Sequence, residues 1–380
     1  QYRYSVGRQS PIYSTVAGAG FSTFELRLVN AGNTDEANLN IGKQNVAGNN
    51  SVVNQLWIQS LLTIKEANLV LTNLDLAPDA GVRVGLKSYA TIFKSLALGT
   101  LASYFEQAAI TIGEDQPFVD RTQALQEAVR LLQELEADLS STAISVDFTR
   151  KALNTVDARN TLYALLARYQ TILGNSDAAL AAANQVSLTV RSFFRYDATN
   201  PNPIFNTSNN VLQPRNALLG LPAALAPDAN DKRLDFYLVD KRAANVLFKG
   251  FFATADAAIP VYLPGEISLI KAEAYARKNQ LTEAVTELNN VLTKKPAGDA
   301  WGVGADLPAY SGEVAQATVL AEIYRQRSIE LFMSGLRLED SRRFGRPGPN
   351  AGGEERSRNY YPYPFTERDN NPNTPPDPAI

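Results

Sequence analysis

Two stretches 105 residues apart repeat one pattern of small and apolar residues, and that pattern constrains the fold of this 380-residue chain more tightly than anything else in it. In TLYALLARYQTILGNSDAALAAANQV, the residues Ala167, Gly174, Ala179, Ala183 and Val186 follow one another at spacings of 7, 5, 4 and 3. In EISLIKAEAYARKNQLTEAVTELNNVL, the residues Ala272, Asn279, Ala284, Leu288 and Val291 repeat those spacings. Small residues at such positions let two helices approach closely, and a turn at the Gly or Asn position joins them. The distance between the two pairs excludes a single tandem array, so a long insertion separates them.

This is the tetratricopeptide rhythm, and the rest of the chain extends it. Apolar residues recur at three- and four-residue spacing from Val53 to about Leu74, Val82 to Ala109, Thr122 to Leu139, Thr155 to Leu173 and Ser176 to Val186, which predicts a succession of amphipathic helices. Asp157 and Ser176 read as N-caps and Gly174 as a C-terminal stop. Residues 1–52, rich in Asn and Gly, show little helical period and read as an irregular surface region. Residues 187–260 carry several Pro and Asn and no sustained period, so loops with short strands are expected there. A second irregular stretch runs from Lys294 to Gly312, and Pro, Gly and Asn dominate a tail, 346–380, expected to lie over the surface. The predicted architecture is all-α, one domain over 1–380, with a helical scaffold at 53–186 and 261–345 and a loop-rich ligand face. Loops of this length in a compact domain point to function.

Composition narrows the chemistry. The chain has no His and no Cys, which removes Ser-His-Asp and Cys-His nucleophiles, Cys/His zinc sites and the commonest general base near neutral pH. Carboxylate-only chemistry survives, but among 39 acidic residues an acidic pair is no signal. An oxygen-ligated calcium site in the Asp/Asn loops stays open, although no EF-hand spacing supports one; no metal site is assigned and no cofactor is expected. A formal charge of -3 with no Lys/Arg run argues against nucleic acid as a partner. No apolar run reaches the roughly 18–20 residues a membrane span needs.

The stretch EIYRQRSIELFMSGLRLEDSRRFGR, Glu322 to Arg346, reads as a helix built to be packed, yet it carries Arg327, Glu330, Arg337, Asp340 and Arg343. Leu320, Tyr324, Leu331, Gly335 and Leu338 form its apolar stripe, while Arg327, Glu330, Ser334, Arg337 and Ser341 lie on a neighbouring line where opposite charges can pair. An unpaired buried partner would cost about 3–5 kcal/mol, so these side chains are expected to satisfy one another or a covering loop as a structural ion network. A carboxylate held between arginines has a depressed pKa and makes a poor proton donor, so catalysis is not expected here.

The same stretch resembles the C-terminal signature of the SusD/RagB family of Bacteroidetes outer-membrane lipoproteins. Arg327, Glu330, Leu331, Gly335, Arg337, Asp340, Arg343, Phe344 and Gly345 match it, whereas Ser334 and Gln326 stand where the family usually has acids. LWIQSLLTIKEAN with Trp57, the helix pair beginning YLPGEISLIKAEAYARKNQ, and YPYPFTERDNNPN resemble other family segments in the same order. The resemblance implies four tetratricopeptide-like pairs, no catalysis, and a cell-surface role. In that role the protein captures glycans, or in some branches peptides, for a SusC-like TonB-dependent transporter. Membrane attachment would come only through an N-terminal lipid-bearing Cys, which this sequence lacks and which is expected upstream.

A pyranose stacks its apolar face on aromatic rings while Asn, Asp and Arg bind its hydroxyls. On that chemistry Trp301, Tyr310, Tyr196, Phe205 and Asn206 are the candidate ligand contacts. For Trp301, anchoring of the loop is the competing role; for Tyr196 and Phe205, packing is favoured; for most of the asparagines, turn formation is favoured. Trp57 and the Tyr360–Tyr363 segment read as packing. A protein-interaction scaffold is the alternative from another class.

Overall fold

The computed structural model describes residues 1–380. Sixteen helices dominate, in the order α1 (Tyr2–Ser5), α2 (Pro11–Ser22), α3 (Thr34–Ile41), α4 (Ser51–Thr72), α5 (Ala80–Tyr104), α6 (Arg121–Ser141), α7 (Val146–Ala152), α8 (Ala158–Ile172) and α9 (Ser176–Ala183). They continue as α10 (Pro203–Ser208), α11 (Lys232–Tyr237), α12 (Pro264–Arg277), α13 (Leu281–Leu292), α14 (Gln316–Glu330), α15 (Arg337–Arg343) and α16 (Phe365–Asn370). Neighbours stack in sequence: α4 on α5, α5 on α6, α6 on α8, α8 on α9, α9 on α12, and α12 on α13 and α14. The expected all-α scaffold of paired helices is what forms.

The repeated turn position works as its spacing implied. Gly174 between α8 and α9 has φ +80° and Asn279 between α12 and α13 has φ +58°, the left-handed conformation that Gly and Asn adopt most cheaply. Asp157 caps α8, accepting from the Asn160 amide at 2.8 Å. Ser176 is already inside α9, where Asn175 is the N-cap and makes no side-chain cap bond.

Three antiparallel ribbons of two or three residues close the loops. β1 (Leu26–Leu28) pairs with β5 (Leu212–Pro214), β2 (Gln107–Ala108) with β3 (Val119–Asp120), and β4 (Phe193–Phe194) with β6 (Ile259–Pro260). The last ribbon joins the two ends of the insertion beside α12. One apolar cluster of 75 buried residues runs through the molecule, and a separate one of 9 lies between α12, α13 and α14.

Residues 1–52 are not irregular. α2 begins at Pro11 after a Ser10 cap and has eleven buried residues. A helix buried all round has no polar face, so the sequence shows no amphipathic period there. Its glycines are points of contact: a Cβ on Gly18 would lie 2.8 Å from the Tyr361 hydroxyl and one on Gly20 2.7 Å from a Leu26 methyl. The tail likewise enters the core instead of lying over it. The Tyr361 ring stacks on Tyr104 at 5.6 Å and the Tyr363 ring edges Trp57 at 5.8 Å, both tyrosines being buried.

The charged stretch is not one helix. It breaks after Glu330, reverses through Met333 (φ +62°) and Gly335 (φ +83°), and resumes as α15. Glu25 accepts from the Met333 amide at 2.9 Å, and the Gly335 carbonyl accepts from the Tyr104 hydroxyl at 2.7 Å, so distant elements hold the break. The charges therefore pair mostly across the break and with other segments, with one pair, Asp340 with Arg343, along α15. Asp340 accepts from Arg327 at 2.9 and 3.0 Å and from Arg343 at 2.5 Å; Arg343 also meets Glu273. Arg337 donates to the carbonyls of Leu219 and Ser328, both at 2.8 Å.

Candidate functional site

Glu330 points the other way, toward the insertion and the loop that follows α13. Its carboxylate accepts from Arg233 Nη1 at 3.0 Å and from Lys294 Nζ at 2.8 Å. Arg233 is fully buried, with a bidentate bond to Asp231 and a 2.5 Å bond to the Gln326 side-chain oxygen. Two cations here face three carboxylates, so a neutral amide at 326 avoids adding a fourth negative charge. Gly265 at the start of α12 makes room for Glu330: a Cβ there would lie 1.8 Å from Oε1.

Lys294 carries this network to the loop. Its ammonium also reaches Asp299 at 2.8 Å, and Asp299 in turn accepts from the Trp301 amide at 2.8 Å and the Val303 amide at 3.1 Å. Burial alone would lower the Lys294 pKa, but Glu330 and Asp299 outweigh it and raise it, keeping the ammonium charged. Gly304 packs backbone on backbone, a Cβ there lying 2.5 Å from the Lys295 carbonyl carbon. The Ala305 carbonyl accepts from the Lys232 amide at 3.0 Å, tying the loop to α11. Trp301 is thus held by a rigid, ion-paired base.

The indole is half-buried, edge-on to Phe193 at 5.7 Å and Phe251 at 5.6 Å. The Arg191 guanidinium lies over its face, 3.9 Å from the ring centroid. Arg191 is exposed and makes no ion pair. It also forms one wall of a groove of about 620 Å³ between the end of α6, the α7–α8 connection and Val190–Arg191. Hydroxyl and amide side chains, among them Ser141, Thr142, Asn154 and Thr155, line it with Arg159 and Asp157. Asp157 is occupied in capping α8, and Arg159 donates to the Leu139 carbonyl at 2.9 Å. A smaller recess of about 410 Å³ presents Arg215 over the Phe24 ring at 5.5 Å. No group of three or more acidic side chains converges as a metal site requires.

The other sequence candidates do not gather around Trp301. Tyr196 is buried in the core with its hydroxyl donating to the Ser5 carbonyl at 3.0 Å, and burial raises its pKa, so no ligand reaches it. Tyr310 packs on the small α12–α13–α14 cluster and its hydroxyl donates to the Glu313 carbonyl at 2.9 Å, whereas Trp301 packs on the main core. Phe205 is half-buried and Asn206 exposed on α10; neither lines the groove. Asn202, which caps α10, also donates to the Phe251 and Ala257 carbonyls, the turn-forming role. Arg191 and Arg159 went unread in the sequence. The only trace of Arg191 is its place beside the aromatic pair in RSFFR.

A sequence model of the SusD family matches residues 206–377. That match falls on the C-terminal part of the chain and bears out the SusD/RagB resemblance read there in the sequence. Solved structures carry the likeness over the whole fold. A SusD superfamily protein of Bacteroides vulgatus superposes with TM-score 0.70 at 14% identity, covering 99% of this chain and 95% of its own. One of Parabacteroides distasonis gives 0.71 at 14%, covering 94% and 92%. A SusD-like carbohydrate binding protein of Bacteroides fragilis gives 0.66 at 16%, covering 90% and 89%. No curated protein matches the chain. No helix is long and apolar enough to cross a membrane.

Proposed function

We propose that this chain is a SusD-like, non-catalytic binding protein of the cell surface, lipid-anchored at the outer membrane. It takes up oligosaccharides along the groove beside Trp301 and passes them to a SusC-like TonB-dependent transporter. The observation that carries this reading is the Trp301 loop itself. An aromatic residue half-open to solvent sits on a base of buried ion pairs, and the arginine over its face, Arg191, also lines a concave, hydroxyl-rich groove. A rigid aromatic with adjacent polar groups suits a sugar, and pre-organisation lowers the entropic cost of binding.

Two observations favour capture over cleavage and glycan over peptide. Glycoside hydrolysis needs two carboxylates about 5–9.5 Å apart, while the one carboxylate lining the groove, Asp157, is engaged as a helix cap. A peptide would bind most directly by adding a strand to a sheet edge, and the ribbons here are only two or three residues long. Titration calorimetry against an array of plant, algal and host oligosaccharides tests the reading, with chromatography of the recovered glycans. Binding that Trp301→Ala weakens at least tenfold, with the glycan recovered intact, is expected. An array without a single binder, or recovered fragments, overturns it.

A further inference from the structure

The groove lies on a chain whose net charge is -3, yet what it offers a ligand is cationic. Its charged lining is Arg159, Arg191 and Asp157. Asp157 spends one oxygen on the amide and side chain of Asn160, at 2.8 and 2.9 Å. The carbonyl of Leu139, near the negative end of α6, is covered by Arg159. The positive N-terminal end of the fifteen-residue α8 opens on the same space. Neither arginine has a carboxylate within ion-pair distance.

Arg191 is the pivotal group. Its guanidinium covers one face of the indole, so a neutral oligosaccharide stacking on that face has to displace it without compensation. An anionic sugar does not. An exposed cation–π contact is weak, whereas a guanidinium–carboxylate or guanidinium–sulfate bond is charge-assisted and bidentate. We propose, resting on the binding role above, that the ligand is an acidic oligosaccharide bearing carboxylate or sulfate groups, and that its anionic group draws Arg191 off Trp301 to open the indole for stacking.

The chain has two tryptophans, Trp57 buried and Trp301 half-buried, so Trp301 fluorescence is readable as the difference between the wild type and Trp301→Phe. The full chain is titrated with galacturonate, alginate and chondroitin sulfate oligosaccharides of four to six sugars, and with neutral cellopentaose and xylopentaose. The uronides separate the carboxylate from the sulfate source. At least one acidic ligand is expected to bind at least tenfold tighter than either neutral one, to shift Trp301 emission, and to weaken with added salt. Arg191→Gln should abolish the acidic preference and most of the fluorescence change, and Arg191→Lys should restore the preference in part. Neutral ligands binding as well as acidic ones, sensitive to Trp301→Ala but not to Arg191→Gln, would overturn this inference and leave the binding role standing. No binding by any of the five, together with an array that yields no binder, would overturn both.

Discussion

Arginine does opposite work in two regions of this molecule. In the interior, Arg233 is fully buried and shares its guanidinium among Asp231, Glu330 and Gln326. At the rim of the groove, Arg191 is exposed and rests on an indole with no acidic partner. The buried group is satisfied at every turn because an uncompensated charge there would be costly, and so it fixes geometry. The rim group keeps its hydrogen-bonding capacity for whatever arrives from solvent. The two regions are one construction: Glu330 and Lys294 connect the buried network to Asp299, and Asp299 holds the amide of Trp301.

The contrast breaks most readily from the inside. Glu330→Ala leaves Arg233 and Lys294 short of a partner and should cost about 3–5 kcal/mol in urea unfolding; a loss below about 1 kcal/mol would mean the network is dispensable. Gly265→Ala forces a methyl against Glu330 and should cost about 1–3 kcal/mol, visible as a lowered thermal midpoint. Trp301→Ala should cost about 2 kcal/mol, less than the roughly 3–5 of a buried aromatic, while losing ligand. Arg191→Gln should change stability by about 1 kcal/mol or less, so that its effect is read in binding alone. Smallest of all, Arg130→Ala removes exposed pairs to Glu127 and Glu134 within α6 and should change stability by about 0.5 kcal/mol or less.

What could be read from the chain depended on whether the signal was local. The helices with one wet face, α4, α5, α6 and α8, show their period in sequence, and Gly174 and Asn279 mark their turns through backbone preferences of single residues. α2 gave no period because it is buried all round. α7 was missed because seven residues between turns leave little pattern to detect. Of the candidate ligand contacts, Trp301 is half-open beneath the groove-lining Arg191, whereas Tyr196 is enclosed, since whether an aromatic in a loop faces inward is settled by residues such as Ser5 that lie far away in sequence.

Sequence alone determined the class of architecture, the absence of histidine and cysteine chemistry, and the presence of charges too regular to be accidental in an apolar stretch. Only the tertiary structure decided where that stretch breaks and whom its charges meet. Arg327 finds Asp340 across a reversal, and Glu330 finds Arg233 97 residues away. Periodicity is a property of neighbours along the chain, while ion pairing and the covering of an indole by a guanidinium depend on which distant segments the shared core brings together.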